Sequence, residues 1–153
     1  MASPGEVQQD VPRCPCAIES LAVEAHDCLA IMADRAAVAL ARAVVEASAK
    51  EKGVTRGSLI AKIDELHQLG LLRGHIKEAA HEVRFGGNEV AHGDLSPVDH
   101  EAAEEILTLM DEVLNDLFQS PARVARARQR RLERSQAGPE SVNATASEGQ
   151  PST

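Results

Sequence analysis

The sequence predicts an all-α protein on three observations. Helix-forming residues dominate, apolar residues recur at spacings of three and four through the middle of the chain, and β-branched residues never cluster at alternating positions. With no Trp or Tyr, and only Phe85 and Phe118 as aromatics, a sheet has little from which to build a packed face. At 153 residues with 43% hydrophobic content, the chain has the length of one domain and enough apolar mass for a core.

Taken in order, residues 1–13 are polar, contain Pro and Gly and have no period, which predicts disorder. A first helix is expected after Pro15, burying Ile18, Leu21, Ala22, Ala25, Cys28, Leu29 and Met32. Asp34 stands where an N-cap for the second helix belongs; that helix turns Ala37, Leu40, Ala41, Val44 and Val45 inward, then Ser48, and stops at Gly53. The short gap between the two predicts an antiparallel hairpin. Thr55 or Ser58 opens the third helix, whose stripe is Leu59, Ile60, Ile63, Leu66 and Leu69, ending at Gly70.

The fourth helix begins near Leu72 and buries Ile76, Ala79, Ala80 and Val83. Ser96, Pro97 and Asp99 read as the cap, first residue and capping-box acid of the fifth. Its stripe is Ala102, Ala103, Ile106, Leu109, Met110, Val113, Leu114, Leu117 and Phe118. That face is broad enough for a central core helix or a dimer seam, so the bundle is expected to centre on its fourth and fifth helices. Pro121 is expected to end the helical domain, 14–120. Residues 121–134 are an Arg-rich extension, either solvated or an anion-binding arm, and 135–153 have the composition of a disordered tail.

The formal charge of −8 is unevenly distributed. Six arginines against Glu133 give residues 121–134 a local +5, whereas residues 14–120 carry nine Lys and Arg against nineteen Asp and Glu, a net −10. Such a body repels a polyanion, so nucleic-acid affinity has to come from the arginine segment, with Arg126, Arg128, Arg130 and Arg131 as its anion-binding residues, or from a local pocket. The scarcity of aromatics argues against a stacking platform for single strands. Cys14, Cys16 and Cys28 are an odd number in a chain without a hydrophobic signal segment, which predicts a reduced, cytoplasmic setting. No apolar run approaches the roughly 18 residues that a membrane span needs. Together with His26 the cysteines offer four zinc-type ligands, but residues two apart on a helix face different ways, so no metal or other cofactor is expected.

The most unusual stretch is EAAHEVRFGGNEVAHGD, residues 78–94. In a continuous helix His81, Arg84, Asn88 and His92 stack on one face, a polar stripe where a core stripe would be expected. Gly86 and Gly87, each costing roughly 1 kcal/mol in a helix interior, mark a kink or a close approach of another backbone. An imidazole, a guanidinium and an amide suit action on a phosphodiester. They equally suit a structural role: His92 with Gly93 is a helix end, and Arg84 has Glu46 or Glu82 as candidate partners. Arg42 and Glu46, four apart on the second helix, are either a surface pair or an arginine reaching inward.

Three runs carry a resemblance: CPCAIESLAVEAHDCLAIMADRAAVALARAVVEASAKEKG, SLIAKIDELHQLGLL and VRFGGNEVAHGDLSPVDHEAAEEILTLMDEVLNDLFQSPARV. Over about residues 14–125 they resemble the bacterial helical family filed as domain of unknown function 4145. The shared features are an Arg and a Glu four apart, here Arg42 and Glu46, and an R, G-N, A-H block, here Arg84, Gly87, Asn88, Ala91 and His92. That family is similar to the HEPN superfamily, all-helical domains that commonly dimerise, many of which cut RNA without metal through an R-N-x-x-x-H order. Asn88 and His92 match that order; the place of its Arg is taken by Gly87, and the nearest arginine is Arg84.

The resemblance implies a five-helix HEPN-like bundle with disordered termini, a cytoplasmic homodimer from a bacterial or phage nucleic-acid-related or defence system. It also implies RNA or a partner protein as ligand. In a cutting member His92 would be general base on a ribose 2′-hydroxyl, Arg84 would stabilise the phosphorane and Asn88 would orient the phosphate, with Arg42, Glu46 and His81 in support. A degenerate member would bind without cutting. The competing expectation is a non-catalytic interaction or dimerisation module whose stripe fixes the fourth helix to the second.

Overall fold

The computed structural model describes residues 14–93 and 96–138. The disorder expected for residues 1–13, and for the tail from 139 on, lies outside the described residues. The helices are α1 (Cys16–Ala30), α2 (Asp34–Glu51), α3 (Leu59–Gln68), α4 (Gly74–Ala91), α5 (His100–Leu114) and α6 (Ser120–Gln136). A π-helical turn, Asn115–Gln119, joins α5 to α6 with helical backbone at both junctions. The two therefore form one rod, and the fold is an all-α bundle of five; no described residue lies in a strand.

Helix α2 lies at the centre, packed on α1, α3, α4 and α5, so it shares the place that the apolar stripes assign to the fourth and fifth helices. The cause is the size of its inward residues. Ala37, Ala41, Val44, Val45 and Ala49 are all fully buried, and such short side chains let neighbouring helices come close on every side. The larger groups filling the spaces between helices are Ile63, Leu66, Leu72, Leu107, Met110, Leu117 and Phe118. At the periphery the expected stripes overreach, with Met32, Ile60 and Leu69 exposed.

Two helix starts differ from expectation. Helix α2 begins at Asp34 itself, after Ala33, and the Asp34 carboxylate accepts a 2.6 Å bond from His100 Nδ1 instead of capping its own helix. That bond raises the pKa of His100 above its ordinary 6.5. Helix α5 starts at His100, four residues beyond Ser96, because Asp99 is the cap and accepts from the Ala102 N–H at 3.2 Å. The Ser96 carbonyl serves Arg35 instead, at 2.8 Å. Ser58 caps α3 as expected, through the Ala61 N–H at 3.3 Å.

Pro121 does not stop the rod. It lacks an N–H, and its ring would collide with the carbonyl four residues back; the wider π turn immediately before it relieves both constraints, and the helix runs on to Gln136. The π turn also carries the buried Asp116 to the start of α4, where its carboxylate accepts from the Arg73 N–H at 2.9 Å and Nε at 2.7 Å. It caps a helix whose own N-cap residue, Arg73, supplies no side-chain cap.

Ala122 is buried, Ser120 and Ala125 are half-buried, and every other described residue of α6 is exposed. A chain ending after Ala125 should therefore unfold within about 0.5 kcal/mol of the parent, the range of surface changes. Urea titration followed by circular dichroism checks this; a loss several times larger would place α6 against the bundle.

Candidate functional site

Helix α4 passes unbroken through Gly86 and Gly87, so the pair serves close approach and not a kink. A Cβ at Gly86 would stand 3.1 Å from Ile106 Cδ1 on α5. One at Gly87 would stand 2.5 Å from both Cβ and Cδ of Arg42 on α2, a collision with the root of that side chain as well as its stem. Glycine at 87 is thus the condition for Arg42 to cross α4.

Arg42 crosses it to reach Asn88, whose Oδ1 accepts from Arg42 Nε at 3.2 Å. The Arg42 to Glu46 pair expected from the i, i+4 spacing is loose, at 3.9 Å, because Glu46 is engaged more tightly by Lys62 Nζ at 3.0 Å. Lys62 is almost wholly buried, so that ion pair, not the surface pair, joins α2 to α3. Two residues on, and so on a different face of α3, Asp64 takes His81 Nε2 at 3.1 Å and Lys77 Nζ at 3.3 Å from α4. Three helices are therefore tied in a circuit: α4 to α2 at Asn88, α2 to α3 at Glu46, and α3 to α4 at Asp64.

The circuit leaves two polar atoms over: Arg84 Nε and His81 Nδ1 are sealed from solvent with no partner among the described residues. Arg84 retains only 7% of its exposure and forms no ion pair with Glu46, Glu82 or any other described carboxylate. Its guanidinium lies 3.9 Å from the ring centre of Phe85, which is itself half exposed. Cation–π contact offsets part of the desolvation cost of a buried charge, but supplies no acceptor. Among the described residues, Arg42 and Lys62 share Glu46 with Lys50, Lys77 pairs with Asp64, and Arg84 forms no ion pair.

His92 is the C-cap residue of α4 and is exposed; its N–H donates to the Asn88 carbonyl at 3.1 Å, and its ring has no partner among the described residues. The structure thus brings Arg42, Asn88 and Arg84 together around one face of α4, with His92 one turn beyond Asn88. It does not bring Arg126, Arg128, Arg130 and Arg131 to them. These stay exposed on α6, which leaves the bundle beside Arg73, at the opposite end of α4 from His92. Lys62, Asp64 and Lys77 complete the circuit and were not singled out by the sequence. Lys62 had a signal: it occupies an inward position of α3, between Leu59 and Ile63. Among the described residues no group of three His, Cys, Asp or Glu is arranged to hold a metal ion, and no helix is long and apolar enough to cross a membrane.

Removing Glu46 strands the buried Lys62, so Glu46→Ala should cost about 3 kcal/mol, the lower end for breaking a buried pair. Hydrogen bonding from Lys62 holds the Glu46 pKa below its ordinary 4.5. Its contribution is therefore present above that pH and is lost as pH falls through the folded value. Denaturant titrations at neutral pH and near pH 3 check both: the gap between parent and variant should be wide at neutral pH and should shrink in acid.

No curated protein and no solved structure matches the chain. Residues 23–133, well over half of it, match the family described as a domain of unknown function (DUF4145), and that match takes in α2 to α5, the whole polar circuit and the arginines of α6 except Arg134. The chain belongs to that family.

Proposed function

We propose that this chain is an HEPN-like RNA-binding domain that grips a phosphodiester on the exposed edge of the α4 stripe and does not turn it over. The observation that carries the reading is Arg84: a charge more than nine-tenths buried, without an acceptor among the described residues, beside the Arg42 to Asn88 bond. Protein interiors pair such charges; one left unpaired in a cluster of polar groups is an expected feature of a ligand site. A phosphate at the exposed edge of the stripe supplies the compensating negative charge, and the half-exposed Phe85 beside the guanidinium offers one face for a base. Asn88 and His92, one helical turn apart, support the HEPN-like assignment and with it a place in a bacterial or phage nucleic-acid-related or defence system. The reading stops at binding because no described residue orients the His92 imidazole, and a general base needs a fixed tautomer and direction.

The test uses the full chain and a fluorescein-labelled single-stranded RNA in EDTA, with anisotropy for binding and a denaturing gel for cleavage. Salt-dependent binding without products is expected, and Arg84→Ala should weaken it about tenfold, the scale of removing one charge close to a partly desolvated anion. Absence of binding at high micromolar protein would sink the reading. Multiple-turnover cleavage lost in His92→Ala would replace binding by catalysis.

A second reading, a dimerisation module, is favoured by a groove of about 460 Å³ between α2, α4 and α5. Val38, Gly86, Ala103 and Ile106 form its apolar floor, Glu82, Glu89, Asp99 and Glu105 its acidic rim, and Phe85 its edge. The rim repels RNA and suits the basic α6 of a second copy, with its exposed Val124 and Leu132. On that reading sedimentation equilibrium gives a dimer mass for the full chain and a monomer mass for one ending after Ala125; a monomer mass for both would exclude it.

A further inference from the structure

We infer that Arg42, threaded from α2 across α4 at Gly87, is a phosphate-binding residue of this site and sets the direction in which Asn88 presents its amide. This deepens the RNA-binding reading and rests on it. Three features support the assignment. Arg42 spends only its Nε on Asn88, at 3.2 Å. Its terminal Nη1 is 3.9 Å from Glu46, too long for a hydrogen bond, and Glu46 is already held by Lys62 at 3.0 Å. The Arg42 side chain keeps 32% of its exposure, so its guanidinium is not sealed inside the bundle. A guanidinium with one edge anchored and the other edge solvated has the geometry that takes two phosphate oxygens.

The anchor acts on Asn88 as well. Because Oδ1 accepts from Arg42, the Asn88 Nδ2 is turned away from that guanidinium, and among the described residues it has no acceptor. Arg42 therefore supplies a charge and also turns a donor, not an acceptor, toward an anion. Arg84 carries a second guanidinium one turn earlier on α4, sealed at Nε and flattened on Phe85; it contributes field from beneath, whereas Arg42 meets the ligand at the opening.

Gly87 makes the assignment testable, because positions 42 and 87 face each other so closely that a side chain rooted at one occupies the space of a side chain rooted at the other. Arg42→Gly removes the guanidinium and clears the space; adding Gly87→Arg returns a guanidinium to it from α4. The experiment compares parent, Arg42→Gly, the double variant Arg42→Gly with Gly87→Arg, Arg42→Lys and Arg84→Ala. Each is the full chain, binding the labelled single-stranded RNA over a range of salt, with circular dichroism to check folding.

Arg42→Gly is expected to weaken binding about tenfold and to lower the slope of log affinity against log salt by about 1, the mark of one lost phosphate contact. The double variant should regain most of the affinity and the slope. Arg42→Lys should keep the slope, since the charge remains, and lose part of the affinity, since a single ammonium cannot both hold Asn88 and fork onto a phosphate. A merely structural Arg42 would leave the slope unchanged. Parent-like affinity and slope in Arg42→Gly would overturn the assignment, as would a folded double variant that binds no better than the single one. If the double variant does not fold, Arg42→Lys decides: a reduced slope there overturns it. Failure of Arg42→Gly alone, with parent binding intact and Arg84→Ala weakened, sinks only the role of Arg42. Failure of the parent to bind sinks the RNA-binding reading and this one with it.

Discussion

The packing of α2 on α4 at Gly87 is the constraint from which the rest follows. Without a Cβ at 87 the two helices lie close enough for Arg42 to pass over the α4 backbone, and once there it meets Asn88. Glu46, one turn further along α2, is left to Lys62, which brings α3 in against both. A single missing methyl group thus decides which arginine stands beside the amide, which carboxylate binds which cation, and how three helices are aligned. Overpacking at such a point costs on the order of 1–3 kcal/mol in ordinary cores. Here the displaced neighbour would be the stem of a charged side chain with two engagements.

The same packing creates a cationic face on a protein whose helical body carries a net charge of −10 over residues 14–120. The helical body therefore opposes a polyanion at long range, and on the RNA-binding reading affinity at this face comes from short-range contacts to individual phosphates. The exposed arginines of α6 are the opposite case: a solvated cluster with a long-range field and no shaped site. The two cationic regions lie toward opposite ends of α4.

The helices were legible because apolar periodicity and glycine stops are local signals: Gly53, Gly70 and Gly93 all take positive φ where the sequence expects a helix to end. The stripe of His81, Arg84, Asn88 and His92 was legible for the same reason, since helical spacing fixes which residues share a face. What the sequence did not disclose is pairing between elements. Glu46 looked like the partner of Arg42 because they are four apart, yet it prefers Lys62, sixteen residues on, which burial strengthens. Gly86 and Gly87 announced a close approach without identifying Ile106 and Arg42 as what approaches. Pro121 was misread as a stop because a π turn, a register shift of one residue, leaves no pattern in composition.

Stability along α4 is uneven, and the site lies at its weaker end. The first half is anchored by Ile76, Ala79, Ala80 and Val83 in the core and capped from outside by Asp116. Past Val83 the inward positions hold Arg84 and Gly87, and two consecutive glycines withdraw roughly 2 kcal/mol of helix propensity relative to Ala. Beyond that point α4 is held by close backbone packing and by the Arg42 to Asn88 bond, with little apolar burial of its own. On the RNA-binding reading, a ligand bridging Arg42 and Asn88 would add a second tie between α2 and the last turns of α4, and its binding energy would stabilise those turns by linkage, coupling the ordering of the helix end that bears His92 to binding.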